Sequence, residues 1–272
     1  MAGKSLSLIG AGVMGEALLS GIADADLYDR KNITVADLDE LKVQKLSKEH
    51  GVRAGRGSRD AADAADVVIL AVKPRQVRSV LEEIGHSLKA DTLVISVAAG
   101  VETQTIASFL GPDVPIVRVM PNTAAQVGAA ISVISAGPSA ADEHVEVAKE
   151  IFSTVGEVLV VPEKLQNQAT ALSGSGPAYF YLFVETLIEA GVKAGLGRET
   201  ASKLVVETLV GSGTMLKNTG KHPAVLKDMV CSPGGTTMAA VGALEKAGFR
   251  AATFKAVEAA MKRAAELGRN GG

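Results

Sequence analysis

Tryptophan is missing from this chain of 272 residues, aromatic residues make up 3% of it, and cysteine occurs once, at Cys231. A lone cysteine excludes an intrachain disulfide and a thiolate cluster for zinc. The histidines, His50, His86, His144 and His222, are scattered without metal-ligand spacing, so no metal site is expected. With few rings and a formal net charge of −2, the chain has neither a stacking surface for bases nor the basic excess that phosphate backbones attract. A nucleic-acid partner is not expected. No apolar run reaches the roughly 18–20 residues that span a bilayer. The opening MAGKSLSLIGAG lacks the layout of a secretion signal, because its glycines read as structural. A cytoplasmic protein is the expectation. Cys231 lies beside a glycine-rich stretch where a nucleophile can sit, but no histidine is placed to assist it, and a small packing residue is the simpler reading.

What is present is ordinary globular material, 47% hydrophobic and 21% charged, in a chain long enough for two domains with cores of their own. Its first part alternates β-branched runs with helical stretches. The strand candidates are SLSLIG (5–10), NITVAD (32–37), DVVILAV (66–72), TLVISVA (92–98), PIVRVM (115–120), AISVIS (130–135) and GEVLVV (156–161). Several are apolar on both faces, as strands covered by helices on two sides are. The pattern predicts a doubly wound, mostly parallel α/β domain of Rossmann type over residues 1–162. Beyond Pro162 every long segment has helical periodicity, so residues 163–272 read as an all-α domain. Small residues along these helices permit close approach, and their apolar content is high for a three- or four-helix unit alone. Homo-oligomerisation through this half is expected, with packing against the sheet domain as the alternative.

LSLIGAGVMGEALLSGI places Gly10, Gly12 and Gly15 in G-x-G-x-x-G spacing, directly after a strand and before a helix. In a βαβ unit these glycines serve a tight turn, close approach of a pyrophosphate to backbone, and close helix–strand packing. Asp37 ends the second strand at the distance where an acidic residue accepts hydrogen bonds from an adenosine ribose. A carboxylate there repels a 2′-phosphate and leans towards NADH over NADPH. Asp37 can equally cap the helix that follows, and Arg53, Arg56 and Arg59, just beyond the next short strand, can welcome a phosphate. AVKP (Ala71, Val72, Lys73, Pro74), SVAAGV (with Ala98, Ala99 and Gly100) and VMPNTA follow later strands, at the carboxyl edge where open α/β sheets bind ligands. They are expected to floor a nicotinamide pocket. Lys73 reads as a general acid, a ribose contact or a solvated side chain.

Near the C-terminus, CSPGGTT leads into an apolar helix. Ser232 followed by Pro233 makes a good N-cap and first helical residue, so the helix is expected to start there. Gly234 and Gly235 weaken a first turn by up to about 1 kcal/mol each relative to alanine. An anion held on bare N–H groups accounts for them, as does a flexible interhelical turn.

Taken together, LIGAGVMG, AVKP, SVAAGV, MPNT, SGSGPAY and LKDMVCSPGGTT…ALEKAGFRAA resemble the pyrroline-5-carboxylate reductase family, from about Leu6 to Leu267. The resemblance implies a homodimer interlocked through its helical domains, often built into a larger ring such as a decamer, with each active site shared between subunits. It implies reduction of L-1-pyrroline-5-carboxylate to L-proline with NADPH or NADH. Ser232, Gly234, Gly235 and Thr236 are implied to hold the substrate carboxylate, and Thr237 to hydrogen-bond the ring nitrogen. Glu163 and Met229 stand where the family has further substrate-pocket residues. On the cofactor side the resemblance carries over Gly12, Val13 and Met14 to the pyrophosphate, Ala71–Pro74 and Ala98–Gly100 to the nicotinamide half, Asn122 nearby, and Ser58 near the adenosine. Relatives that favour NADPH carry Ser or Thr where this chain has Asp37. Two rival readings exist. A β-hydroxyacid dehydrogenase requires a catalytic lysine, Lys193 or Lys203, and a nicotinamide-binding sensor leaves SPGGTT without a purpose.

Overall fold

The apolar runs of the N-terminal half form one sheet. A computed structural model describes residues 1, 3–89 and 91–270 and divides them between two compact units, Met1–Ser175 with Ala260–Gly272, and Gly176–Ala259. In the first unit β1 (Leu6–Ile9), α1 (Val13–Asp24), β2 (Ile33–Ala36), α2 (Glu40–His50), β3 (Arg53–Ala54) and α3 (Ser58–Ala62) come first. There follow β4 (Val67–Leu70), α4 (Pro74–Ile84), β5 (Leu93–Ser96), α5 (Thr103–Leu110), β6 (Ile116–Met120), β7 (Ala130–Ala136), α6 (Asp142–Ser153), β8 (Gly156–Val160) and the short α7 (Gln166–Ala169). The strand order is β3-β2-β1-β4-β5-β6-β7-β8. Every neighbouring pair is parallel except β6–β7, where Val119 faces Ile134 antiparallel.

Side chains alternate across this sheet, and both sides are filled. Leu6, Leu8, Val67 and Ile69 join Leu18, Leu19 and Ile22 of α1, Leu46 of α2 and Phe152 of α6 in one core. Ile9, Val68 and Leu70 join Val77, Val80, Leu81 and Ile84 of α4 and Ile106 of α5 in the other. The spacing of the four α4 residues is one apolar stripe of a helix, and the strands show the two-residue period of a pleat. This double burial is why the strand runs read as apolar throughout. Arg53, expected just beyond a short strand, is itself in β3.

The second unit contains α8 (Gly176–Lys193), α9 (Arg198–Thr219), α10 (Pro223–Met229), α11 (Thr236–Lys246) and the first part of α12 (Phe249–Asn270). Gly191 lets α8 approach α9, since a Cβ there would lie 3.2 Å from the Ala201 Cβ. The rings of Phe183 and Phe249 pack at 5.9 Å. Among the described residues of this unit only Gly176 and Ala201 are buried. Phe180, Tyr181, Leu204, Val210 and Phe254 are all exposed, Phe254 by 72%.

The starts of β1 and β4 are locked together by Asp66. Its Oδ2 accepts from the Ser5 N–H at 2.7 Å and the Ser5 hydroxyl at 2.9 Å, and Lys89 Nζ lies 3.0 Å from Oδ1. These bonds, the Ser5 backbone bond foremost, hold the Asp66 carboxyl below the ordinary carboxylate range. A carboxyl depressed in the folded state stabilises fully above its unfolded value, near 3.9, and loses that contribution as pH falls through the folded one. Asp66→Asn is therefore expected to lower stability at neutral pH by about 1 kcal/mol, after discounting for partial exposure. Urea midpoints measured from pH 7 downwards should show the gap between variant and parent closing below about pH 4.

Candidate active site

The strand order reverses between β1 and β4, and loops diverging from a switch point leave a crevice at the carboxyl ends of the strands. A cleft of about 860 Å³ lies there. Gly10, Gly12, Val13, Met14, Asp37, Ser58, Ala71–Pro74, Ala98 and Ala99 line it together with Met120, Pro121 and Thr123. Gly10 has φ +113°, and a Cβ on it would lie 2.6 Å from the Ala71 carbonyl. A Cβ on Gly15 would collide with the Gly10 carbonyl oxygen. Gly12, the N-cap of α1, offers no side-chain cap, and a Cβ on it would meet no protein atom. The N-terminal N–H groups of α1 thus open onto the cleft beside bare backbone, a cradle that suits an anion.

On the β2 side Asp37 does more than line the cleft. Its Oδ2 accepts from the Ala11 N–H at 2.6 Å, and its Oδ1 from the Asp39 N–H at 2.9 Å. The carboxylate therefore braces the glycine loop against the start of α2, with Asp39 itself capping that helix through the Lys42 N–H. The cationic side chains along this edge are Lys42, 3.2 Å from Asp39, and Lys45, 2.9 Å from Glu16. Of the three arginines, Arg56 pairs with Asp60, and Arg59 bonds to Glu83, which lines the cleft. Sequence reading missed Lys42 and Lys45, although their spacing along α2 puts both on one helical face.

At the opposite end Pro74 opens α4 with Lys73 as its N-cap. Three sequence candidates stand behind the cleft wall and do not line it. Gly15 packs on Gly10, Gly100 is buried at φ +79°, and Asn122 caps a short turn by accepting from the Ala124 N–H at 3.3 Å. Glu163 also lies off the cleft. Its Oε1 accepts from the Thr103 N–H at 2.9 Å, its Oε2 from the Thr103 hydroxyl at 2.6 Å, and Arg118 Nη1 is 3.3 Å from Oε1.

In the second unit Met229 ends α10, Ser232, Gly234 and Gly235 lie in the connection that follows, and Thr236 and Thr237 open α11. The helix does not begin at Ser232. The Gly235 N–H bonds back to the Ser232 carbonyl at 3.0 Å, and Gly234 has φ +66°, so Ser232–Gly235 is a tight turn with proline second and glycine third. The turn delays the helix to Thr236, with Gly235 as N-cap. A Cβ on Gly235 would meet the Ser232 hydroxyl, which would have to turn away to admit it. The N–H groups of Thr236 and Thr237 open the first turn of α11, where no intrahelical acceptor exists.

A glycine loop at a helix N-terminus, an acidic strand end and a cleft at the switch point define a nicotinamide-nucleotide oxidoreductase. Residues 5–100 match the family model described as NADP oxidoreductase, coenzyme F420-dependent, and residues 163–267 match that of pyrroline-5-carboxylate reductase dimerisation. The pyrroline-5-carboxylate reductase of Synechocystis sp. is 43% identical over 97% of this chain and 98% of its own. The solved structure of a pyrroline-5-carboxylate reductase from Coxiella burnetii superposes with a TM-score of 0.91 at 37% identity, over 97% of this chain and 98% of that one. That of Plasmodium falciparum pyrroline carboxylate reductase with NADP bound gives 0.89 at 34%, over 98% and 99%. The chain belongs to the pyrroline-5-carboxylate reductase family. The rival reading that called on Lys193 or Lys203 is thereby set aside.

Gly15→Ala should disrupt the phosphate cradle through the Gly10 carbonyl, since overpacking of this kind costs about 1–3 kcal/mol. Thermal unfolding with and without NADPH is the check. The expected outcome is a lower melting temperature together with a smaller rise on adding nucleotide than the parent shows.

Proposed function

We propose that this chain reduces L-1-pyrroline-5-carboxylate to L-proline at the expense of NADPH or NADH, with the nucleotide in the cleft of the first unit and the substrate on the Ser232–Thr237 turn. The observation that carries the reading is the pairing, in one family member, of that cleft with a turn whose glycines and helix-start N–H groups suit a carboxylate. A nicotinamide cofactor bound there would supply a hydride for the carbon of the ring C=N bond, whose nitrogen is protonated, leaving a secondary amine and the oxidised cofactor. The residues of the chain bind and orient. Val13 and Met14, with Gly10 and Gly12, receive the pyrophosphate, Asp37 and Ser58 face the adenosine, and Ala71–Pro74 with Ala98 and Ala99 support the nicotinamide end. The Ser232 hydroxyl and the backbone of Gly234, Gly235 and Thr236 hold the substrate carboxylate, with Met229 beside them. The Thr237 hydroxyl orients the ring nitrogen. A protonated imine is already a good hydride acceptor, so alignment carries much of the acceleration and no paired acid and base are required.

The family model over residues 163–267 is one of dimerisation, and the exposed apolar side chains of the second unit suit burial against another copy. We place the chain in a homodimer assembled into a larger ring such as a decamer. We also place it in the cytoplasm. Among the described residues no helix is long and apolar enough to cross a membrane.

Two variants test the assignment, with imine-dependent loss of cofactor absorbance as the assay. Thr237→Ala should lower kcat/KM by about 100-fold, with Thr237→Ser retaining most of the activity. Unchanged kcat and KM in the alanine variant would remove the role given to Thr237. Asp37→Asn should move the ratio of kcat/KM values towards NADPH by about tenfold, because it takes a negative charge away from the site facing a 2′-phosphate.

A further inference from the structure

We infer that Glu163 and Gly268 are positioning residues for hydride transfer, holding from behind the loop over residues 97–102 whose front supports the nicotinamide end of the cofactor. This rests on the reading that the nicotinamide lies against Ala98 and Ala99. Those two residues and Val97 face the cleft with small side chains only, so the surface they present is set by where the backbone sits. The internal ties of the loop are few and long. The Ala98 N–H reaches the Ser96 hydroxyl at 3.3 Å, and the Val101 N–H reaches the Ala98 carbonyl at 3.4 Å. Its one shorter anchor, the Val97 N–H on the Leu70 carbonyl at 3.1 Å, lies at the strand end.

Further support comes from two places that the chain reaches much later. The last turn of α12 lies directly on Gly100. A Cβ on Gly268 would come within 2.7 Å of the Gly100 carbonyl oxygen, so the helix backbone is seated there only because residue 268 has no side chain. At the far end of the loop Thr103 opens α5, and its N-cap, Glu102, makes no side-chain bond to the helix. Glu163 takes over that function from a distant part of the chain, accepting both the N–H and the hydroxyl of Thr103. A carboxylate suits this position because the first N–H groups of a helix lack internal acceptors and carry partial positive charge. The carboxylate is itself oriented by Arg118 of β6, whose side chain is only 3% exposed. Gly137 closes the other side, since a Cβ on it would lie 3.0 Å from the Thr103 Cβ. The loop is therefore held at its centre and its end by groups that do not line the cleft. Hydride transfer is sensitive to such support, because a displacement of about 1 Å at the reacting atoms can cost on the order of 100-fold in rate.

The test uses Gly268→Ala and Glu163→Gln in the full chain, with three readouts. These are the melting temperature, the dissociation constants of NADH and of ADP, and single-turnover reduction of the imine with C4-deuterated and ordinary cofactor. Gly268→Ala gains helix propensity and loses to the clash with the Gly100 carbonyl, so its melting temperature should stay within a few degrees of the parent's while it presses on Gly100. Both variants are expected to bind ADP as the parent does and NADH several-fold more weakly. Both should transfer hydride about tenfold more slowly in a single turnover, with an isotope effect at least as large as the parent's. Folded variants with the parent's hydride-transfer rate and NADH affinity overturn the proposal, and so does an equal loss of ADP and NADH affinity, which signals a loosened cleft. If Glu163→Gln does not fold, Gly268→Ala decides. If the parent itself does not reduce the imine, the functional reading fails on that ground, and the NADH-to-ADP affinity ratio alone decides the role of the two residues.

Discussion

The nucleotide half of this molecule depends on a contact too close to admit a side chain. The start of α1 is drawn so near the ends of β1 and β4 that Gly15 lies against the Gly10 carbonyl, and Gly10 against the backbone of Ala71. That proximity points the free N–H groups of α1 along the carboxyl edge of the sheet, where loops after β1, β4, β5 and β6 converge on one cleft. Asp37 strengthens the same arrangement from the side, because its short charge-assisted bond to the Ala11 N–H fixes the glycine loop before any ligand arrives. Much of the site is thus preorganised by backbone contacts within the sheet unit.

The second unit follows an opposite logic. Its helices approach closely where Gly191 meets Ala201, yet they bury almost nothing among themselves. Large apolar side chains gain roughly 1.5–3 kcal/mol each on full burial, so faces carrying Phe180, Val210 and Phe254 favour association. The Ser232–Gly235 turn is embedded in this unit. Its Pro–Gly geometry needs no core, only a proline second and a glycine at positive φ third. A locally specified turn can therefore keep its shape on a unit that completes its packing through association.

Several features were legible before any coordinates. Each of the seven strand candidates coincides with a strand, and in six of them, β8 with its exposed Leu159 and Val160 being the exception, runs covered on both faces leave a continuous apolar signal. The glycine loop was legible because its spacing encodes a turn, an approach and a packing contact within a few consecutive residues. Side-chain partnerships were not. Nothing in the spacing of Glu163 announces that it caps a helix starting at Thr103, and nothing near Asp37 announces that it bonds to Ala11. The sequence offered Arg53, Arg56 and Arg59 to a phosphate, and nothing in it announced that Arg56 pairs with Asp60, Arg59 with Glu83, or that Lys42 and Lys45, held by Asp39 and Glu16, stand along the cleft. Most of these pairings join residues far apart in the chain, and their identity depends on how helices settle on the sheet.

By itself the sequence determined the class of fold, through periodicity and glycine placement, and the family, through the motifs it shares with it, since these are local properties written over a few residues. The tertiary structure decided which side chains brace the glycine loop, that the helix after CSPGGTT waits until Thr236, and that the end of α12 rests on Gly100. These are matters of distance between parts of the chain remote in sequence, and distance is fixed only when helices and sheet have packed.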